Sequence, residues 1–223
     1  MADMDVDMTG TLTRIRADLW QTRMDSPFPG LTTHSYLWRG PSGNMLFYSP
    51  ATDADFDAIA ELGGVTAQYL SHLDEAGPNL ARIAERFGSR LHAPAAELAE
   101  IGRHAHVDVP IGSRRHIDAN GVDVIPTPGH SPGSTCYLVR GVDGENYLFT
   151  GDTMFPTGRG TWSTYLVPGR GDATEMRTSL AALRSVSPGL VISSAFGGDT
   201  AIEEVTNGRW TRCLDEALTS VGS

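Results

Sequence analysis

Two side chains in this sequence are of the types and in the settings that metal-assisted chemistry requires. His130 lies in Ile125-Pro-Thr-Pro-Gly-His-Ser-Pro-Gly-Ser-Thr-Cys-Tyr-Leu138, and Asp152 in Tyr147-Leu-Phe-Thr-Gly-Asp-Thr-Met-Phe155. Each follows an apolar, strand-like run and rides on a Gly- or Pro-rich turn, where a rigid scaffold aims one donor from each of two strands. An imidazole and a carboxylate held so, with positions left open, are ligand types of a centre in which a divalent ion activates water. Singly, each has a plainer reading: His130 as a hydrogen-bonded turn histidine, Asp152 as an Asx-turn. Their pairing favours the metal.

Hydrophobic periodicity supplies the elements that must position them. Alternation over Thr11 to Trp20 predicts a strand, and His34 to Trp38 and Asn44 to Tyr48 predict a hairpin around Gly40-Pro-Ser-Gly43. Helices are expected over Thr52 to Leu62 and, ending at Gly88, over Pro78 to Phe87, with the apolar strand Val65 to Ser71 between them. A strand at Arg90 to His92 and a helix at Ala95 to Ile101 precede an irregular stretch from Gly102 to Asn120. Strands return at Val122 to Thr127, Thr135 to Arg140 and Asn146 to Phe149. The segment Phe155 to Asp172 reads as a long loop of the kind that borders substrate. Helices at Ala173 to Ser185 and Arg209 to Val221 flank a buried strand at Leu190 to Ser194. With no low-complexity linker, one α+β domain of two packed sheets with helices outside is expected over residues 1–223. About ten residues at the N-terminus are expected to be flexible.

Composition removes several function classes. The net charge of −10 argues against nucleic acid or an anionic membrane as partner, since such binding comes from basic side chains. The chain has no lysine, which excludes a Schiff base or a P-loop. Cys136 and Cys213 lie far apart without a C-x-x-C pattern, so neither a zinc knuckle nor a redox dithiol is expected. The acidic start without an apolar run leads us to expect a cytoplasmic protein.

The turn Thr127-Pro-Gly-His-Ser-Pro-Gly-Ser134, the strand end Phe149-Thr-Gly-Asp152 and the helix-then-strand closure over Glu175 to Ser194 resemble the metallo-β-lactamase superfamily. The resemblance covers about Trp20 to the last strand. It implies an αββα four-layer sandwich with metal in a cleft at the sheet edges. Members normally carry His-x-His-x-Asp-His after the strand that here ends near Ser71, whereas this chain has Gln68-Tyr-Leu-Ser-His-Leu-Asp-Glu-Ala-Gly77. If the Asp-His-x-Gly portion is kept in register, His72 and Asp74 match while Leu70 and Glu75 replace histidines. If the His-rich start is kept instead, His72 is the first His, and Asp74 and Ala76 replace the second His and the Asp. The first register also retains the following glycine and is favoured. After the last strand, Phe196 occupies the position where the family places a histidine.

In either register the resemblance implies His72 and His130 as ligands of the first metal and Asp152 as the bridging carboxylate. The favoured register adds Glu75 as a ligand and makes Asp74 the catalytic carboxylate that handles the proton of water. Together these residues imply a thinned, mononuclear site for one divalent ion, zinc first, with iron or manganese as alternatives. Its substrate would be a small-molecule ester, thioester or lactone. His34, Arg159 and Trp162 are candidates to line the cleft, with Tyr165 beside them. The opposing reading is a relic that holds no metal and binds a ligand or partner chain. A third is a non-haem iron oxidoreductase, which two imidazoles and a carboxylate also suit. His104, His106 and His116 read as surface residues. Trp38 and Trp210 would serve either a homo-oligomer contact or the core.

Overall fold

A computed structural model describes residues 12–28, 31–206 and 208–222. The N-terminal residues expected to be flexible lie outside this range. The strand expected up to Trp20 is a hairpin, β1 (Thr13–Arg16) and β2 (Leu19–Gln21), because Ala17-Asp18 turns the chain back. Two short strands absent from the sequence reading follow, β3 (Asp25–Phe28) and β4 (Leu31–Thr33). The predicted hairpin is β5 (Tyr36–Gly40) and β6 (Gly43–Phe47). Then come α1 (Phe56–Glu61), β7 (Ala67–Tyr69), α2 (Asn79–Phe87), β8 (Arg90–Pro94), α3 (Leu98–Ile101) and β9 (Val109–Ile111). α2 stops at Gly88, which takes a left-handed φ of 65° and donates its N–H to Ala84.

The second half runs β10 (His116–Ile117), β11 (Asp123–Pro126), β12 (Thr135–Arg140), β13 (Asn146–Gly151), β14 (Phe155–Pro156) and β15 (Trp162–Ser163). It closes with α4 (Ala173–Leu183), β16 (Leu190–Ser193), β17 (Ala195–Phe196), β18 (Ile202–Glu204) and α5 (Arg209–Ser220). α4 starts at Asp172, whose side chain accepts from the N–H groups of Thr174 and Glu175. The stretch expected to be irregular after Gly102 thus contributes β9 and β10, each too short to show a period.

Two sheets face each other, one ordered β1-β2-β5-β6-β7-β8-β9 and the other β10-β11-β12-β13-β16-β18. Between them lies an apolar layer drawn from both, in which the stacked rings of Phe47 and Phe149 have centroids 4.0 Å apart. Apolar residues of α1 and α2 cover the outer face of the first sheet, and α4 and α5 cover that of the second. This is the α+β, αββα four-layer sandwich. Trp38 is buried in the layer between the sheets and Trp210 packs against the α4–α5 layer, so both belong to the core rather than to an exposed contact. Among the described residues no helix is long and apolar enough to cross a membrane.

His92 in β8 gives this fold an acid limit. Its ring lies 4.3 Å from that of Tyr69, and Asp118 Oδ2 is 3.9 Å from its Nδ1. Burial pushes its pKa from 6.5 down to about 4, with Asp118 offsetting only part of the effect and Arg90 adding to it. The folded protein therefore refuses a proton that the unfolded chain accepts below pH 6.5. Stability from neutral His92 is complete above that pH and falls as pH drops toward the folded pKa, by roughly 3 kcal/mol in all. Urea unfolding of His92→Phe should accordingly show a shallower loss of stability than the parent between pH 6.5 and 4.

Candidate metal centre

Four strand ends converge at one edge of the sandwich. His72 follows β7 in an extended conformation and leads into a single 3-10 turn over Leu73–Glu75. His130 sits in the turn between β11 and β12, Asp152 directly follows β13, and Ser194 directly follows β16. β13 and β16 run parallel, and β11 is two antiparallel steps from β13, so their C-terminal ends share an edge. Close approach of these ends requires glycine at two points. Gly151 has φ 53°, and a Cβ there would lie 2.1 Å from Ser71 Oγ. Gly129 has φ 146°, and its Cβ would lie 2.4 Å from Met176 Cα.

The rings of His72 and His130 meet edge to face with centroids 4.6 Å apart. His72 Nε2 is 3.5 Å from Asp152 Oδ2, and His130 Nε2 is 3.9 Å from Asp74 Oδ2. One donor atom each from His72, Asp74 and His130 lies within 4.8 Å of the other two. His130 Nδ1–H donates to the Tyr165 carbonyl at 2.9 Å, so Nε2 carries the lone pair. That nitrogen is buried and has no hydrogen-bond partner, the Asp74 contact being too long to count as one. Ser194 Oγ donates to Asp152 Oδ1 at 2.6 Å.

Glu75 lies behind the histidine rather than among the converging donors. Its carboxylate accepts from Ser71 N at 2.8 Å and from Ser71 Oγ, and it stands 3.3 Å from His72 Nδ1, the nitrogen facing away from Asp152. Ser71 Oγ is 2.8 Å from the same Nδ1, forming a relay from imidazole to hydroxyl to carboxylate. Burial opposes the charged form of His72, but Glu75, Asp152 and Asp74 together outweigh it and raise its pKa to about 10. Burial, and then the neighbouring His72, push His130 the other way. Burial also raises Glu75, with His72 and Ser71 opposing.

These groups open onto a cavity of about 330 Å³, lined also by His34, Tyr48 and Tyr165. His34 is the one cleft candidate of the three that the fold brings there. The segment after Phe155 folds as the β14–β15 hairpin, and β15 docks on α5. Trp162 is consequently buried in the α4–α5 layer, with its backbone N–H donating to Glu216, and Arg159 is exposed and does not line the cavity. His104, His106 and His116 are exposed.

Sequence reasoning missed three residues. Ser194 aims Asp152. Tyr48, the one non-glycine with positive φ (70°) among the described residues, accepts from Gly151 N and donates to the Ile192 carbonyl, holding the backbone next to Asp152. Glu97 is buried between the two ligand-bearing turns and accepts from Leu73 N at 2.8 Å and from Gly133 N at 3.3 Å. No local pattern marks them, because each acts on a segment distant in sequence.

The family model of the metallo-beta-lactamase superfamily matches residues 55–194, more than half of the chain. The chain belongs to the metallo-beta-lactamase superfamily. A hydroxyacylglutathione hydrolase from Acidiphilium cryptum is 30% identical over 160 residues, covering 69% of this chain and 60% of that protein. One from Mesorhizobium japonicum is 36% identical over 108 residues, or 46% of this chain and 40% of that protein. The chain thus spans about half the length of these relatives. Among solved structures, a metallo-beta-lactamase from Pontibacter korlensis superposes with a TM-score of 0.68 at 16% identity, covering 94% of this chain and 97% of that one, a likeness of fold.

Within the superfamily pattern, side-chain direction bears on the register after β7. Leu70 is buried against Leu80, Leu91 and Ile101, turned into the helix-covered layer, while Asp74 joins His72 and His130. Leu70 thus lies outside the donor cluster, and both registers keep His72 within it. Phe196, at the superfamily's late histidine position, stacks on His34 with centroids 5.2 Å apart and planes 5° from parallel.

Proposed function

We propose that this protein is a metal-dependent hydrolase of small-molecule esters, thioesters or lactones, with His72, Asp74 and His130 holding one divalent ion. The observation that carries this reading is the buried, unpartnered lone pair of His130 Nε2, facing a second imidazole and a carboxylate. An unsatisfied buried acceptor costs about 1–3 kcal/mol, which a cation at that point would recover. When bound, the ion supplies Lewis acidity that polarises the scissile carbonyl and acidifies water.

The chain's own groups account for the remaining work. The Tyr165 carbonyl fixes the tautomer of His130, and the Ser71–Glu75 relay orients His72 from behind. Glu75 therefore serves as an orienting group in this reading and not as a ligand. Ser194 holds one oxygen of Asp152, leaving the carboxylate at the cavity wall to take a proton from attacking water. This moves the proton-handling role from Asp74, which closes on His130, to Asp152. The hydroxyacylglutathione hydrolases among the relatives support hydrolysis of an acyl bond. Zinc is the first ion to load, with iron and manganese beside it, since one of the three donors is a carboxylate.

A second reading draws on the elevated pKa of His72, which three carboxylates hold as an imidazolium without any ion. Calorimetric titration of metal-free protein separates the two. The hydrolase reading expects one ion per chain and metal-dependent cleavage of an uncharged aryl ester or thioester. No stoichiometric uptake of zinc, iron or manganese would leave the ion-paired relic.

A further inference from the structure

We propose that the cleft selects uncharged or cationic acyl substrates and rejects anionic ones, including the free-acid thioesters of glutathione, because its own lining is acidic. The proposal rests on the hydrolase reading above. Asp74, Glu75 and Asp152 all line the cavity, and a divalent ion held by His72, Asp74 and His130 would offset two of these three carboxylates. No basic side chain offsets the third. The chain has no lysine, and its seventeen basic side chains are arginines at described positions, none of them lining the cavity. Arg23, adjacent to the backbone that fixes His34, is turned onto Asp55 with Nε to Oδ1 at 3.1 Å. Arg170 is paired with Glu100.

His34, the remaining candidate cation of the lining, is built to stay neutral. Its Nδ1–H donates to the Thr22 carbonyl at 2.8 Å, and its Nε2 accepts from the Gln21 amide at 3.1 Å. Both nitrogens are thereby satisfied in the uncharged form, and the ring lies flat on Phe196. Pro27 and Leu31 line the cavity with it and give the acidic pocket an apolar platform. An acyl chain can lie on the platform while its carbonyl reaches the histidines. A carboxylate carried into the same cavity meets like charge at low dielectric and no guanidinium to receive it.

A matched pair of probes without an ester or thioester bond tests this on zinc-loaded protein: S-hexylglutathione, which carries two carboxylates, and its bis(ethylamide), which carries none. Calorimetry is expected to show the bis(ethylamide) binding at least about tenfold more tightly at low salt, with the gap narrowing as ionic strength rises. Leu31→Arg, which adds a cation at the cavity wall, should shrink the preference. Equal or tighter binding of the free acid overturns the proposal, as does failure of both probes to bind. Zinc uptake is measured in the same titrations. If zinc binds and the acid is preferred, only the charge selectivity falls, whereas failure to take up zinc removes the hydrolase reading and this proposal with it.

Discussion

His130→Ala is expected to lower zinc affinity by about a hundredfold or more and to abolish metal-dependent hydrolysis. The variant removes one of the two imidazoles in the cluster, and it is the one whose free nitrogen no protein group satisfies. The turn itself should persist. Its main chain is held independently, with Val167 N donating to the His130 carbonyl at 3.0 Å and Asp172 N to that of Gly129 at 2.8 Å. Removing the unpaired nitrogen relieves a buried polar group, but the variant also loses the Nδ1–H bond to the Tyr165 carbonyl and leaves a cavity, so the metal-free protein should melt somewhat lower while remaining folded. Metal content by elemental analysis, read beside the melting temperature, separates loss of a ligand from loss of the fold. Unchanged metal content in this variant would refute the site.

Glu97→Ala should produce the largest loss of stability that accompanies loosening of the centre. The carboxylate is 1% exposed and accepts backbone N–H groups from the His72 side, at Leu73, and from the His130 side, at Gly133. Hydrogen bonds to a charged acceptor contribute about 1.5–3 kcal/mol each, so loss of both should destabilise by roughly 3–6 kcal/mol in urea unfolding. The two turns also lose their common fastening, and zinc affinity should fall about tenfold or more in the fraction that remains folded. Glu97→Gln retains one acceptor oxygen and should recover part of both losses. Full zinc affinity in a destabilised Glu97→Ala protein would show that the carboxylate supports the fold without setting the spacing of the ligands.

Local sequence was most informative where a residue's role depends on its immediate neighbours. His130 and Asp152 were legible because the glycines and prolines that shape their turns lie beside them, and because the strands leading into them are continuously apolar. Helix α2 was legible for the same kind of reason, with Gly88 ending it. The segment after Phe155 differs from the expected loop because its two-residue strands are too short to show a period and the docking of β15 on α5, tens of residues away, sets where it lies, so Trp162 is in the core and Arg159 on the surface. The register after β7 was ambiguous because His72, Asp74 and Glu75 fall within four residues. Only the 3-10 turn decides which of them faces His130.

By itself the sequence determined the sandwich, the superfamily, and the presence of His72, His130 and Asp152 at strand ends, since periodicity and turn chemistry are encoded over a few consecutive residues. Only the tertiary structure decided that Asp74 joins the imidazoles, that Glu75 stands behind His72, that Ser194 and Glu97 hold the parts in place, and that no arginine enters the cavity. Those outcomes depend on distances between segments far apart in the chain, which packing of the two sheets sets and no local pattern records.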